Sequence, residues 1–271
     1  MKEKFRNAGS NGSRKSDNNI VPEKPANKEG KISEEQVEGR ALTKGNIVTS
    51  AAVRTQGRGA VSIGLQGVRR KAQQDKDVRF NNLLHHITPE LLMESYYGLK
   101  KNVAAGVDKV TWHQYKDGLA ERIEDLHNRV HAGSYRAQPV RRSYINKADG
   151  RKRPLGVTAL EDKIVQQAAA TILNQIYEID FMGFSYGFRE KRSQHDALDA
   201  LHEGILRCKT NYILDVDISA FFDQIDHEWL MKMLRHRVAD KRMLRLIRKW
   251  LKVGFVEDGR RKPQEIGTPQ G

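Results

Sequence analysis

The most strongly indicated element of the sequence is a helix between residues 160 and 176. Its apolar residues recur at helical spacing: Leu160, Ile164, Val165, Ala168, Ala169, Ile172, Leu173 and Ile176. Side chains three or four residues apart share one face of a helix, so this stripe predicts a long helix with a wide apolar face.

Weaker patterns predict further helices and short strands around it. Helices are expected at about 68–86, 112–131, 193–207, 227–238 and 240–252, and Thr88-Pro89 begins another as N-cap and first position. Hairpins are expected between 140–146 and 152–157 and around Asp258-Gly259, and a strand at 212–217. The order is helix-rich with short antiparallel strands, which indicates an α+β fold.

Composition limits where the chain works. Residues 1–65 are polar and lack a sustained apolar period, which predicts a disordered tail. No run approaches the roughly 20 apolar residues of a membrane span, and no apolar secretory signal begins the chain. The only cysteine, Cys208, excludes an internal disulfide and fits a reducing cytoplasm, where a plain packed thiol is expected.

The charge favours a polyanionic partner. The formal net charge is +14, from 48 Lys plus Arg against 34 Asp plus Glu. Nucleic acid is the first candidate, because each phosphate that a protein neutralises releases a counterion. A membrane surface is the second candidate, and a merely well-solvated surface is the alternative to both.

Carboxylates cluster at the end of the predicted strand. Asp215 and Asp217 fall on the same face of a strand, where their charges repel unless a cation, a proton or solvent relieves them. Mg²⁺ with phosphate oxygens is one answer. The alternative explanation is that one of the two carboxylates faces solvent and the other caps the following turn. Asp223 and Asp226 are expected to be caps or ion-pair partners.

Two basic segments add to this pattern. Lys147 and Arg153 flank the tip of the first hairpin, where neighbouring cations can hold a triphosphate or form an ordinary basic turn. The segment 185–193 mixes aromatic residues, glycine and arginine, which suits a loop that packs on one side and meets a nucleic-acid backbone on the other.

Taken together, these segments resemble the reverse transcriptases encoded by group II introns. The resemblance covers roughly residues 75–271. It is carried by five segments in family order: Ala105-Gly-Val-Asp-Lys-Val-Thr111; Arg153-Pro-Leu-Gly-Val-Thr158 with Glu161-Asp-Lys-Ile-Val-Gln166; Phe184-Ser-Tyr-Gly-Phe-Arg189 with Ser193-Gln-His-Asp-Ala-Leu198; Asp217-Ile-Ser-Ala-Phe-Phe-Asp-Gln-Ile-Asp-His227; and Gly267-Thr-Pro-Gln-Gly271. The block at Ala105 resembles an N-terminal extension of group II enzymes, which argues against a retroviral type.

The resemblance implies the fingers and an incomplete palm of a right-hand polymerase. It divides the chain into a disordered tail (1–65), an N-terminal helical extension of the fingers (66–135), the fingers hairpin and helices (136–210) and a partial palm (211–271). It also implies a bacterial-type cytoplasmic, RNA-associated location, with an intron RNA template, a DNA primer and dNTPs as partners.

The resemblance implies roles for individual residues. Asp217 matches the catalytic aspartate that bridges two Mg²⁺ ions, helped by the backbone carbonyl of Ile218, and Phe222 matches the residue that excludes a ribose 2′-OH. The other matching residues bind substrates: Lys147 and Arg153 the incoming triphosphate, Gln270 the nucleotide, and Arg189 and Arg192 the template. Asp215 matches no firm role.

One departure from the family pattern bears on activity. In the family, the chain continues beyond the Pro-Gln-Gly loop to an Ala-Asp-Asp hairpin that completes the metal site. The last residue of this sequence is Gly271. We therefore expect an N-terminal fragment that does not polymerise by itself. The alternatives are an intron RNA-binding splicing cofactor (a maturase), with its contact on the basic helices of 68–101, and a degenerate remnant.

Overall fold

The computed structural model describes residues 55–146, 150, 152–207 and 210–268, with side chains from Ile63 onward. The helices are α1 (Thr55–Gln74), α2 (Pro89–Gly98), α3 (Trp112–Lys116), α4 (Leu119–Ala132), α5 (Leu160–Asp180), α6 (Gln194–Arg207), α7 (His227–Arg237) and α8 (Lys241–Lys252). The strands are β1 (Val140–Asn146), β2 (Lys152–Val157), β3 (Phe255–Glu257) and β4 (Arg260–Lys262), and short 3₁₀ turns cover Leu84–His86 and Phe221–Asp223. No helix among these residues is long and apolar enough to cross a membrane.

Helix α5 is the centre of the hydrophobic core, as its apolar stripe predicts. It contacts α1 and α2, and Ile164, Ile172 and Ile176 are completely buried. Burying a side chain of this size contributes about 1.5–3 kcal/mol, so this face supplies much of the driving force for folding. The predicted helix is confirmed and extends to Asp180.

Several predicted helix boundaries are confirmed by their caps. The Thr88 Oγ1 accepts a hydrogen bond from the Leu91 N–H at 3.2 Å, with Pro89 at the first position of α2. Gly133, at φ 78°, ends α4 in the left-handed conformation that glycine adopts at little cost. The helices predicted around 194–207, 227–238 and 240–252 are α6, α7 and α8.

Two helix predictions need correction. The helix expected at 68–86 runs instead from Thr55 to Gln74, so the boundary expected at residue 65 falls inside α1. The helix expected at 112–131 is two helices, because Gly118 adopts a left-handed conformation at φ 70° between α3 and α4. A positive φ cannot continue a right-handed helix.

The sheet is mixed rather than purely antiparallel. Its strand order is β2-β1-β3-β4. The two predicted hairpins are confirmed as the antiparallel pairs β1–β2 and β3–β4, but β1 and β3 are parallel, with Val140 opposite Phe255. Turn residues in the local sequence predict each hairpin. The pairing of one hairpin with the other depends on how the helices between them pack.

The strand predicted at 212–217 does not form. This segment has no regular secondary structure and pairs with no strand, and the side chains of Tyr212, Leu214 and Val216 are 92%, 86% and 72% exposed. A strand is stable only when a neighbour satisfies its backbone N–H and C=O groups. No strand in the described ranges supplies that neighbour, so the alternating pattern alone does not produce a strand here.

The motif that begins at Ala105 packs against the start of α5. A Cβ built on Gly106 would lie 2.5 Å from the Ala159 Cα and 2.6 Å from the Ala159 N. The Arg141 guanidinium donates to the Ala105 carbonyl at 2.8 and 3.1 Å. Only glycine allows this approach of two backbones, so one role of the motif is to join the loop before α3 to the start of α5.

A buried polar network holds the first turn of α5. The Tyr135 hydroxyl donates to Asp162, the Gln138 N–H donates to the Asp162 Oδ2 at 2.8 Å, and the Trp250 Nε1 donates to the Tyr135 hydroxyl at 3.0 Å. Burial raises the pKa of Asp162 to about 6, although both hydrogen bonds to it act in the opposite direction. The network links α5 to the loop after α4 and to α8.

A second buried carboxylate, Asp240, joins two segments that lie far apart in the sequence. The Asp240 Oδ2 accepts from the Leu83 and Leu84 N–H groups at 2.7 and 2.8 Å, while its Oδ1 caps α8 through the Arg242 and Met243 N–H groups. Burial acts to raise the pKa of Asp240, but these four donors outweigh it and the pKa is lowered. One side chain therefore connects elements about 157 residues apart in sequence.

Replacing Gly106 by alanine tests the close approach of the two backbones. We expect Gly106→Ala to lower the free energy of unfolding by about 1–3 kcal/mol, because the added methyl group overlaps backbone that has no free space to move. Gly204→Ala is the matched control: its Cβ meets nothing within 4 Å in α6, so helix propensity should raise stability by about 0.5–1 kcal/mol. Equal effects in chemical denaturation would contradict this account of Gly106.

Replacing Asp162 by asparagine tests the buried network through its pH dependence. The folded-state pKa lies above the unfolded value near 3.9, so the stability that Asp162 contributes is complete below about pH 4 and is lost as the pH rises through about 6. The difference in unfolding free energy between the natural chain and Asp162→Asn should therefore shrink across that window. The change has this sign because asparagine does not titrate, whereas the natural chain loses about 1.4 kcal/mol of stability for each pKa unit between the unfolded and folded values. A constant difference would contradict the raised pKa.

Candidate active site

The turn that follows Asp217 is built by local backbone chemistry. Ala220 adopts a left-handed conformation at φ 52°, the 3₁₀ turn Phe221–Asp223 follows, and α7 then begins. The Asp226 Oδ1 accepts the Trp229 N–H at 2.8 Å, which confirms Asp226 as a cap. These features fix the direction in which the chain leaves the segment that carries the predicted catalytic residues.

The loop at Gly267 is hydrogen-bonded to this turn. The Gly267 N–H donates to the Ile225 carbonyl and the Thr268 N–H donates to the Phe222 carbonyl, both at 2.7 Å. A Cβ on Gly267 would lie 2.6 Å from the Asp223 carbonyl oxygen, and the residue has φ 76°, so both space and conformation require glycine. The two predicted motifs, about 40 residues apart in sequence, therefore form one unit.

His227 completes this attachment. Its side chain is buried, and its Nε2 donates to the Gly267 carbonyl at 2.7 Å. Sequence reasoning did not single out this residue as functional, because a histidine at the start of a helix carries no local signal of a partner 40 residues away. The contact follows only from the tertiary structure, and it makes His227 a positioning residue for the loop.

Asp217 and the Ile218 carbonyl lie in the exposed segment that leads into the turn. The side chains of Asp215 and Asp217 are exposed, and that of Ile218 is 67% exposed. A carboxylate and a carbonyl are hard oxygen donors of the kind that Mg²⁺ prefers. The described residues contain no group of three or more His, Cys, Asp or Glu side chains that could hold a metal, so these donors form at most part of a site.

Phe222 belongs to a partly exposed group of aromatic rings. Its ring meets those of Phe221 and Phe188 edge to face, with centroids 5.2 and 6.3 Å apart. Phe222 is 38% exposed and Phe188 is 72% exposed. The contact between Phe188 and Phe222 places the segment around Phe188 beside the turn after Asp217. The Gly267 loop contacts the same turn through the hydrogen bond from the Thr268 N–H to the Phe222 carbonyl.

The two arginines expected to contact the template occupy different environments. Arg189 is 6% exposed, and its guanidinium donates to the Glu178 carboxylate and to the Met182 and Ser185 carbonyls. The side chain of Arg189 therefore holds the loop after α5, and its contact with a template stays a prediction. Arg192 is half-buried, lies over the Tyr186 ring and donates to the Gly183 carbonyl at 3.3 Å.

The remaining predicted residues are placed only in part. Arg153 lies in β2 with its backbone paired to Ile145, and its side chain is partly buried and has a partner in the protein. Lys147, Gln270 and Cys208 lie outside the described residues. The structure therefore brings together Phe222 and the Gly267 loop, and the triphosphate and glutamine roles stay predictions.

Comparison with known proteins agrees with these motifs. Residues 145–271 match the family model described as reverse transcriptase (RNA-dependent DNA polymerase). Protein YkfC of Escherichia coli is 36% identical over 207 residues, which are 74% of this chain and 54% of that protein. The group II intron-encoded protein LtrA of Lactococcus lactis is 33% identical over 210 residues, 76% of this chain and 35% of LtrA.

A third relative is encoded within an intron as well. A 91 kDa protein in the cob intron of Schizosaccharomyces pombe is 36% identical over 156 residues, which are 57% of this chain and 19% of that protein. Residues 145–271 therefore carry a reverse transcriptase domain, a class that uses divalent metal ions. The chain as a whole is similar to the reverse transcriptases and maturases of group II introns. The chain spans about half the length of YkfC and about a third of LtrA.

Replacing His227 tests whether it positions the Gly267 loop. In His227→Ala the Gly267 carbonyl no longer has its buried donor, so we expect the Gly267 and Thr268 amides to exchange with solvent at least about tenfold faster, as local opening becomes easier by about 1.4 kcal/mol or more. Hydrogen exchange followed by NMR measures this directly.

His236→Ala is the matched control, because His236 is exposed on the same helix and has no contact with the loop. It should leave both amides unchanged. Unchanged protection of Gly267 and Thr268 in His227→Ala would exclude a positioning role.

Proposed function

We propose that this chain forms the fingers and part of the palm of an RNA-directed DNA polymerase of the group II intron type. The observation that carries the proposal is the hydrogen-bonded attachment of the Gly267 loop to the turn after Asp217, through the Phe222 and Ile225 carbonyls. This attachment unites the two motifs that the family resemblance assigns to nucleotide binding. The division into a tail, a fingers extension, fingers and a partial palm belongs to the same proposal.

The proposed reaction extends a DNA primer on an RNA template. The primer 3′-oxygen forms a bond to the α-phosphorus of a dNTP, and pyrophosphate leaves. Asp217 and the Ile218 carbonyl would supply part of the ligand set of two Mg²⁺ ions, which would stabilise the developing charge. The partly exposed Phe222 ring would exclude a ribose 2′-OH by occupying its space, which selects dNTPs over ribonucleotides.

Other residues would bind substrates. Lys147 and Arg153 would hold the triphosphate and Gln270 the nucleotide, while Arg192 would follow the template. The exposed rings of Phe184 and Phe188, which are 78% and 72% accessible, offer stacking surfaces for unpaired bases. Arg189 would support this segment from inside, through its bonds to Glu178 and to the loop carbonyls. The proposed setting is the bacterial-type cytoplasm, in association with RNA.

A second candidate function is RNA binding in support of splicing. The observation that favours it is the net charge of +14, which suits a polyanion and requires no complete metal site. An intron RNA would then be the partner, with the protein holding it in a shape competent for splicing. The two functions are compatible, because a polymerase that copies an intron must also bind it.

Primer extension separates the enzymatic proposal from RNA binding alone. We expect the 271-residue chain to bind a primed RNA template but to incorporate no dNTP above background in Mg²⁺, because the described residues gather no set of three metal-binding side chains around Asp217. The assay compares incorporation by the natural chain, by Asp217→Ala and by an Asp215→Ala control, alongside filter binding of the same template.

The outcomes are distinct. Incorporation that Asp217→Ala abolishes and Asp215→Ala leaves intact would show that the chain is active by itself, which supports the polymerase proposal and overturns the inactive-fragment expectation. Template binding without incorporation would support RNA binding as the function of this chain alone and would agree with the expectation that the chain does not polymerise by itself. Failure to bind the primed template at any salt concentration would contradict both candidate functions.

A further inference from the structure

Helix α8 presents an unusual concentration of positive charge. Its sequence Lys-Arg-Met-Leu-Arg-Leu-Ile-Arg-Lys-Trp-Leu-Lys contains six cations and no acidic residue. Met243, Leu246 and Leu251 are buried, so the apolar face is used for packing and the basic side chains are left on the outer side. Lys241, Arg245, Arg248 and Lys252 recur at helical spacing along about 16 Å of this outer face.

Part of this face borders a pocket. Arg242, Arg245, Lys249 and His131 line a pocket of about 100 Å³ between α8 and the C-terminal end of α4. The Lys249 Nζ donates to the Gly133 and Tyr135 carbonyls at 3.0 and 2.5 Å, which satisfies the negative end of α4. The partial negative charge at the C-terminal end of α4 is therefore matched by Lys249 and does not cancel the charges of Arg242 and Arg245.

Two guanidiniums of this face have no carboxylate partner. Arg248 pairs with Glu228 at 3.6 Å, whereas neither Arg242 nor Arg245 forms an ion pair within the part of the chain that the structure describes. Burial, followed by the charges of Arg245 and Arg136, lowers the pKa of Lys249. The like charges around the pocket thus repel one another, and an external anion would relieve that repulsion.

The arrangement favours a nucleic-acid backbone over a membrane. A helix that binds a lipid surface inserts its apolar face, but the apolar face of α8 is occupied by the protein core. Guanidinium groups match phosphate oxygens in two-point hydrogen bonds, and a row of cations about 16 Å long matches a series of phosphates rather than one isolated ion. The net charge of +14 adds a long-range attraction of the same sign.

We propose that the outer face of α8, which includes Arg245 and has Arg242 at its edge beside the pocket, is a binding surface for the phosphate backbone of a structured RNA. This surface lies on a different element from the turn after Asp217, and it adjoins the region of 68–101 at Leu84, which lines the same pocket. It rests on the RNA binding in the proposed function and specifies where one part of that binding takes place. The recognition is of backbone charge and spacing, so it does not depend on base sequence.

The test is RNA binding across a salt series with charge-matched variants of the whole 271-residue chain. Arg242→Gln/Arg245→Gln removes two exposed charges from α8, and Lys109→Gln/Lys116→Gln removes two exposed charges from the region before α4. Lys116 lies just before the N-terminal end of α4, whereas the pocket lies at its C-terminal end. This helix has 14 residues and is therefore about 20 Å long. The probe is a labelled RNA hairpin, and vesicles containing phosphatidylserine are a second probe. Thermal melts establish that each variant is folded.

We expect Arg242→Gln/Arg245→Gln to weaken hairpin binding roughly tenfold and to reduce the slope of log affinity against log salt by about two, because two phosphates are no longer neutralised and each accounts for about one unit of slope. Lys109→Gln/Lys116→Gln should change the slope little. Arg242→Lys/Arg245→Lys should restore most of the slope, because the charge is retained, and less of the affinity, because the two-point geometry is not.

Each other outcome overturns the proposal in a recognisable way. Equally weakened binding in both double Gln variants would show a general effect of net charge, and an unchanged α8 variant would place the RNA-binding surface elsewhere; in both cases the proposed function survives. Weakened vesicle binding with intact hairpin binding would make α8 a lipid surface. If the natural chain binds no RNA, this surface and the proposed RNA binding both fail.

Discussion

Every described part of this protein depends on the burial of helix α5. Its apolar face joins α1 and α2 into one core, and its first turn carries the Asp162 carboxylate that Tyr135 and Gln138 hold. A buried charge or dipole without partners would cost several kcal/mol, so the surrounding loops must adopt the conformations that supply those donors. The packing of Gly106 against Ala159 brings the loop before α3 to the same place.

The candidate site depends on this core indirectly. The Asp240 carboxylate ties α8 to the 3₁₀ turn at Leu84, and α7 and α8 together carry the turn after Asp217 and the Gly267 loop. The site is therefore a rigid attachment of one loop to one turn, beside the exposed segment that carries Asp217. Hydrogen bonds hold one side of this site, and the side that carries Asp217 is exposed to solvent.

The arginine side chains of this protein differ in their burial and in their partners. The arginines that sequence alone presents as equivalent have three separate roles. Arg189 is buried and holds a loop, Arg192 lies half-buried over the Tyr186 ring, and Arg242 and Arg245 line a pocket without carboxylate partners in the described residues. Arg242 and Arg245 are exposed, so their charges are accessible to an external anion. The count of basic residues indicates the class of partner, and burial and pairing determine which residues reach it.

The sequence by itself determined the elements that local chemistry specifies: the stripe of α5, the Thr88 and Asp226 caps, and both hairpins. It also determined the family resemblance, because five short motifs occur in order. Only the tertiary structure decided that β1 and β3 pair in parallel, that 212–217 remains unpaired, that His227 holds Gly267 and that Arg189 is structural. These features join residues far apart in the chain, and their free energy comes from partners that no local pattern contains.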